Sequence, residues 1–135
     1  MKTITDRIHS IVMDASKSIG IDDPIFKIES PKISSHGDFS CNVALTLAKK
    51  IGRSPRGIAT EFIDSINNLH GSFFNRIEIA GPGFINMFLS EIVIAQELAL
   101  ILEKGHDYGK HNLVKDKTAL VEFVSANPTG PLTVG

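Results

Sequence analysis

Apolar residues recur every three to four positions in four stretches of the chain, which is the period of an amphipathic helix. The members are Ile4, Ile8, Ile11, Val12, Ala15 and Ile19; Val43, Ala44, Leu47, Ala48 and Ile51; Ile58, Ala59, Phe62, Ile63, Ile66 and Leu69; and Ile94, Leu98, Ile101 and Leu102. Capping residues flank these stretches: Thr3 with Asp6, then Gly20, Gly52, Ser54-Pro55, Ser90 and Gly105. The pattern predicts four helices that bury these apolar residues.

Alternating polar and apolar residues predict short strands between the helices. Phe26 to Glu29 alternates and stops near Pro31, whereas the segment from Ser34 to Asp38 has the composition of a turn. Ile77 and Ile79 lead into Gly81-Pro82-Gly83, and Phe84 to Leu89 returns, which predicts a hairpin with an ordinary tight turn. We expect Asp38 and Ser40 to cap the helix that follows Gly37.

The chain changes character after the fourth predicted helix. A polar stretch from His106 to Lys117 precedes Thr118 to Val124, an almost continuous apolar run typical of a strand covered on both faces in a parallel sheet. The sequence therefore predicts an α+β domain over residues 1–112, with about four helices packed on a small antiparallel sheet. Residues 113–135 would then start an α/β domain.

Composition narrows the class of protein. With 42% hydrophobic residues the 135-residue chain can form a core, and 14 Lys+Arg against 15 Asp+Glu give a net charge of −1, so any RNA contact must rest on a local basic patch. The single cysteine excludes an internal disulfide, and the histidines have no metal-ligand spacing, so no metal site is predicted. Without a signal peptide or membrane-span pattern, we expect a soluble cytoplasmic protein with no membrane partner.

The segment after the apolar run has the composition of a ligand-binding loop. It reads Glu122-Phe123-Val124-Ser125-Ala126-Asn127-Pro128-Thr129-Gly130-Pro131-Leu132-Thr133-Val134-Gly135. Ligands of open parallel sheets bind beyond the carboxyl ends of the strands, and glycines let backbone approach them closely. An ordinary strand-to-helix turn with an exposed glutamate explains the same composition, so chemistry alone leaves both readings open.

This loop resembles the segment that leads into the His-x-Gly-His signature of class I aminoacyl-tRNA synthetases, in the form of arginyl-tRNA synthetases. The resemblance implies a Rossmann-like catalytic domain that uses ATP with Mg²⁺. By residue, it implies arginine binding by Glu122, Ser125 and Asn127, and an ATP-binding signature over Ala126 to Gly135. Thr133 stands where the first signature histidine is expected, and the second would be residue 136, so we expect this polypeptide alone to be inactive.

The resemblance extends upstream, through His36-Gly37-Asp38-Phe39-Ser40, Asn42-Val43-Ala44-Leu45 and Ala80 to Asn86. It implies that residues 1–112 bind tRNA(Arg) at the D-loop, with Phe84 and Asn86 matching an aromatic-x-amide pair that meets a D-loop base. Alternation places Phe84, Asn86 and Phe88 on one face of their strand, and aromatic rings commonly stack with splayed-out bases. Packing of both phenylalanines beneath a helix is the alternative interpretation.

Four basic residues around a helix end, Lys49, Lys50, Arg53 and Arg56, are candidates for contacts to tRNA phosphates. Cations at a helix C-terminus are also favourable without any ligand. The function implied by the resemblance is that of an arginine–tRNA ligase, which activates arginine with ATP and transfers it to tRNA. Two alternatives remain: a non-catalytic RNA-binding module with the same fold, and an interaction domain whose terminal loop binds another nucleotide.

Overall fold

The computed structural model describes residues 2–110 together with Thr118, Leu120 and Val121. These residues form four helices and four short strands. In chain order these are α1 (Ile4–Ser18), β1 (Ile28–Glu29), β2 (Phe39–Cys41), α2 (Val43–Ile51), α3 (Pro55–His70), β3 (Phe74–Ala80), β4 (Phe84–Leu89) and α4 (Glu91–Lys104), with single 3-10 turns at Ser34–His36 and Gly105–Asp107. The α+β class with four helices and an antiparallel sheet is confirmed.

Local capping explains why the helices begin where the sequence predicts. At α1, the Thr3 hydroxyl accepts from the Asp6 amide at 3.1 Å, and the Asp6 carboxylate accepts from the Thr3 amide at 2.8 Å, a reciprocal capping box. Ser54 caps α3 with Pro55 in its first turn, and Ser90 caps α4. These side chains satisfy backbone donors that have no partner within the helix.

The strands form one antiparallel sheet in the order β1-β2-β4-β3. The β3–β4 hairpin was predicted, but β2 was not. The prediction that Asp38 and Ser40 cap α2 is wrong: Ser40 lies within β2, and the Asp38 carboxylate accepts from the Leu89 amide at 2.8 Å. Asn42 precedes α2 instead, and its side-chain oxygen accepts from the Lys27 amide.

The core lies between one face of the sheet and the helices α1, α2 and α3. Phe62, Ile58 and Ile66 of α3 are fully buried there, as are Ile85 and Met87 of β4. Burying each of these side chains contributes about 1.5–3 kcal/mol. Because side chains alternate along a strand, Asn86, between Ile85 and Met87, must face away from this core.

The predicted burial of the α4 residues is wrong. Among the residues of α4, only Val93 is buried, whereas Ile94, Leu98, Ile101 and Leu102 are exposed. The helical period was read correctly, but the described part of the chain provides no surface against which this side of the helix packs.

The predicted strand from Thr118 to Val124 falls mostly outside the described residues. Thr118, Leu120 and Val121 have no strand conformation and are exposed. No Rossmann strand is therefore seen among the residues that the structure describes after α4.

Candidate nucleic-acid interface

The outer face of the sheet, opposite the helices, carries a row of polar residues across all four strands. Glu29 of β1 pairs with Ser40 of β2, Ser40 pairs with Asn86 of β4, and Asn86 pairs with Glu78 of β3. Residues paired in this way share one face of an antiparallel sheet. Asn86 therefore lies at the centre of a polar row, on the side of the sheet that the helices do not cover.

A cavity of about 530 Å³ opens onto one part of this face. Its floor includes Ser40 and Asn86, and the hairpin turn closes one side. The lining residues are Glu29, Ser30, Pro31, Lys32, Ile33, His36, Ser40, Ala80, Gly81, Pro82, Phe84 and Asn86. The volume lies within the range of small-molecule sites and has room for a nucleotide base.

Phe84 and Asn86, the pair singled out from the sequence, both line this cavity. Asn86 is only 3% exposed as a residue, and its side-chain amide takes part in none of the hydrogen bonds among the described residues. No fully enclosed side-chain nitrogen or oxygen atom in this part of the chain lacks a partner, so the amide meets solvent in the cavity. Phe84 is 40% exposed. The cavity thus combines an unpaired amide, able to donate and to accept, with an accessible aromatic ring.

Phe88 lies on the same face, but its ring is already covered. The guanidinium carbon of Arg76 lies 3.9 Å from the centre of the Phe88 ring, a cation–π contact. Arg76 Nε also lies 3.5 Å from a carboxylate oxygen of Glu78. Alternation had grouped Phe84 with Phe88, but the structure leaves Phe84 as the ring that lines the cavity.

The hairpin turn is held against the start of α3. Arg56 Nη1 donates to the carbonyl of Gly81 at 2.6 Å. Gly83 has a φ of +148°, and a Cβ atom built there would lie 2.8 Å from the Cβ of Pro55. Only glycine fits this close approach, so the turn is more than a connection: it positions one wall of the cavity.

A second glycine brings the opposite wall close to β4. Gly37 has a φ of +91°, and a Cβ atom there would lie 2.7 Å from the carbonyl oxygen of Met87. The preceding 3-10 turn, which contains His36, is thereby held beside the floor of the cavity. His36, Ser40 and Glu29 were not predicted as site residues. Ser40 lies beside Asn86 through the register of the unpredicted strand β2, Glu29 follows through its pairing with Ser40, and His36 is placed by the close approach at Gly37.

The four basic candidates do not form one patch. Lys49 and Lys50 line a separate groove with Pro24 and Ile25. Arg53 forms an ion pair with Glu61, whose hydrogen bond and charge raise the pKa of the guanidinium. Of the four, Arg56 alone contacts a residue of the cavity lining.

The predicted arginine-binding residues Glu122, Ser125 and Asn127 lie outside the described residues, as does the predicted ATP signature from Ala126 to Gly135. Within the described part, no three His, Cys, Asp or Glu side chains are grouped as metal ligands. No helix there has the length and apolar character that crossing a bilayer requires.

Similarity to known proteins agrees with the upstream motifs. A curated arginine–tRNA ligase of Caldanaerobacter subterraneus subsp. tengcongensis is 48% identical over 109 residues, covering 81% of this chain and 19% of that protein. One from Ralstonia nicotianae is 47% identical, covering 95% of this chain and 22% of that protein. The chain thus spans about a fifth of the length of these relatives.

Solved structures show the same fold. The crystal structure of arginyl-tRNA synthetase from Plasmodium falciparum matches with a TM-score of 0.62 and 25% identity, over 73% of this chain and 18% of that one. The Thermus thermophilus arginyl-tRNA synthetase matches with a TM-score of 0.59 over 70% of this chain and 15% of that one. A profile of the family described as "Arginyl tRNA synthetase N terminal domain" matches residues 2–89, and the chain belongs to this family.

Proposed function

We propose that this chain is the N-terminal part of an arginine–tRNA ligase, and that its sheet cavity receives an unstacked base of the D-loop of tRNA(Arg). The observation that carries the proposal is the Asn86 amide, which lines the cavity without a partner among the described residues, beside the exposed ring of Phe84. An amide that no protein group pairs with, on the floor of a cavity, is available to form its hydrogen bonds with a ligand.

Each wall of the cavity suits a base. A ring such as Phe84 stacks on any base and contributes about 1–3 kcal/mol. The Asn86 amide offers both donors and an acceptor, so it can pair with the edge of a base, and the neighbouring Ser40 hydroxyl adds another group of either kind. Stacking provides affinity, whereas the hydrogen bonds select the base.

Phosphate contacts supplement this pocket. The chain has a net charge of −1, so attraction to tRNA must come from local cations. Arg56 uses one N–H on Gly81, which leaves others of its five for a phosphate near the hairpin turn. Lys49, Lys50 and Arg53 are further candidates along a longer path of the tRNA backbone.

The catalytic steps belong to the sequence after the α+β domain. In this proposal residues 1–112 form the tRNA-binding domain, and residues 113–135 start a Rossmann-like class I domain that binds arginine through Glu122, Ser125 and Asn127. ATP, with Mg²⁺, is a substrate bound beside the Ala126 to Gly135 signature. The 135 residues alone do not activate arginine, and the whole enzyme acts in the cytoplasm.

Steady-state aminoacylation by the full-length enzyme tests the pocket. Asn86→Ala is expected to raise the KM for tRNA(Arg) about fivefold, since one lost hydrogen bond is worth about 1 kcal/mol, and to leave the KM values for arginine and ATP unchanged. Asn67→Ala, which changes an exposed asparagine on α3, is the matched control. An unchanged KM for tRNA in Asn86→Ala refutes the assignment of this pocket.

A further inference from the structure

Helix α4 carries an apolar stripe that the described part of the chain leaves uncovered. Ile94, Leu98, Ile101 and Leu102 are 50%, 55%, 38% and 75% exposed. They follow one another at i, i+4, i+7 and i+8, the spacing of a single face of a helix. We call these four residues the α4 stripe.

A neighbouring side of α4 makes the contacts that the described residues provide. Val93 is 3% exposed, and Glu97 and Leu100 are half-buried. The Ser90 cap donates to the Ser72 carbonyl at 2.8 Å, which attaches the start of the helix to the segment before β3. The α4 helix is therefore attached by one side and near its start, and the stripe lies next to the attached side.

A helix of 14 residues with this little packing is marginally stable in water, because most helical stability in proteins comes from a buried apolar face. Clustered exposed apolar residues mark a contact surface. The surface is poorly suited to an anionic membrane, since α4 contains three glutamates and one lysine, whereas membrane-surface helices are rich in basic residues.

The family boundaries indicate what covers the stripe. The N-terminal domain profile ends at Leu89, immediately before α4, whereas the similarity to the Ralstonia nicotianae relative covers 95% of this chain and 22% of that protein. Most of such a relative therefore follows the position of α4. A short connection gives the following segment a high effective concentration at the stripe, which favours it over a second copy of the chain.

We infer that the α4 stripe docks against the part of the same polypeptide that follows residue 110. The segment concerned starts with residues 111–135, to which the apolar run Thr118 to Val124 belongs. Docking makes α4 a rigid connector, which fixes the orientation of the tRNA-facing sheet relative to the catalytic part. The inference rests on family membership and on the exposure of α4, and it holds whether or not the cavity binds a base.

Hydrogen exchange in the full-length enzyme tests the docking. The amides of α4 are expected to be protected, and Ile94→Glu is expected to speed their exchange at least about tenfold, because it places a charge in a buried apolar contact. Ile92→Glu makes the same chemical change two residues away on the same helix, at a residue that is 62% exposed and outside the stripe, and it should leave exchange unchanged. Equal effects of the two variants, or no effect, overturn the inference.

Photo-crosslinking identifies the occupant. With p-benzoylphenylalanine in place of Leu98 in the full-length enzyme, the expected product is an internal crosslink to residues beyond 110, located by mass spectrometry. A crosslink between two copies of the chain, or no protein crosslink, overturns the inference. Neither experiment includes tRNA, so their outcome is separate from that of the aminoacylation test.

Discussion

Asn86 occupies a strand position where an apolar residue would pack more favourably in the absence of a ligand. It is 3% exposed, flanked by the core residues Ile85 and Met87, and its amide has no internal partner in the described structure. Binding residues are often retained at a cost to stability. If Asn86 binds a ligand, its replacement should weaken ligand binding without lowering the stability of the fold.

We therefore expect Asn86→Val to raise the free energy of unfolding by up to about 1 kcal/mol, since valine favours strands and asparagine is depleted in them. Urea unfolding measures this change. The same variant should weaken tRNA binding by the full-length enzyme. A loss of stability in Asn86→Val would instead assign the asparagine a structural role.

Cys41 is expected to make the free energy of unfolding depend on pH in the alkaline range. Burial raises the pKa of its thiol from 9.0 to about 12, while a hydrogen bond from the Val43 backbone acts in the opposite direction. Because the folded pKa lies above the unfolded one, the stabilisation is complete below pH 9 and is lost as the pH rises towards 12. In this pH range the free energy of unfolding is expected to fall by about 1.4 kcal/mol per pH unit.

Urea unfolding at several pH values between 8 and 11 measures this slope, with Cys41→Ala as the reference. The variant loses stability at every pH from its cavity, but its curve should fall less steeply above pH 9. Parallel curves for the two proteins would contradict the assignment of the slope to Cys41.

Among the elements, strand β2 depends on a side chain that joins it to the far end of β4. The Asp38 carboxylate accepts from the Leu89 amide at 2.8 Å, and the Asp38 amide donates to the Met87 carbonyl at 2.9 Å. The side-chain bond satisfies a backbone donor at the end of β4, where the sheet no longer supplies a partner. Through Ser40, the same strand supplies part of the cavity floor.

Asp38→Ala is expected to lower the free energy of unfolding by about 1 kcal/mol, because an exposed charged hydrogen bond is lost and one amide loses its partner. The matched control is Asp22→Ala, at an exposed aspartate in the segment between α1 and β1, which should change stability by less than about 0.5 kcal/mol. If both variants unfold at the same urea concentration, the bond does not hold the strand.

Capping residues and apolar periods predicted the helices well, because these signals are local. Thr3 with Asp6 and Ser54 with Pro55 start their helices as expected. Strand β2 has only three residues, too few for alternation to identify, and its pairing with β4 joins residues far apart in the sequence. The period of α4 was likewise local, but whether its stripe is buried depends on what packs there.

At the scale of the molecule, one face of the sheet packs against the core and the other carries the candidate binding site. The helices α1, α2 and α3 cover one face, and the cavity opens on the other. The sequence predicted Phe84 and Asn86 through a family resemblance, but it could not distinguish Phe84 from Phe88, since only the structure shows Arg76 over the second ring. Nor could it predict Ser40, which reaches the cavity through a non-local strand pairing, or His36, which lies in the turn beside Gly37.

If the cavity binds a single tRNA base, then replacing Asn86 and removing that base must have non-additive effects on the free energy of binding. A double-mutant cycle measures this coupling directly. Full-length wild-type enzyme and the variant Asn86→Ala are each titrated with tRNA(Arg) and with tRNA(Arg) lacking one base of the D-loop, for each D-loop position in turn.

For one position, the loss of binding on removing the base should be about fivefold smaller in Asn86→Ala than in the wild-type enzyme, because the hydrogen bond is already lost whereas stacking on Phe84 remains. At every other position the two losses should add. Additive losses at all D-loop positions would contradict the account, since the cavity would then take no D-loop base.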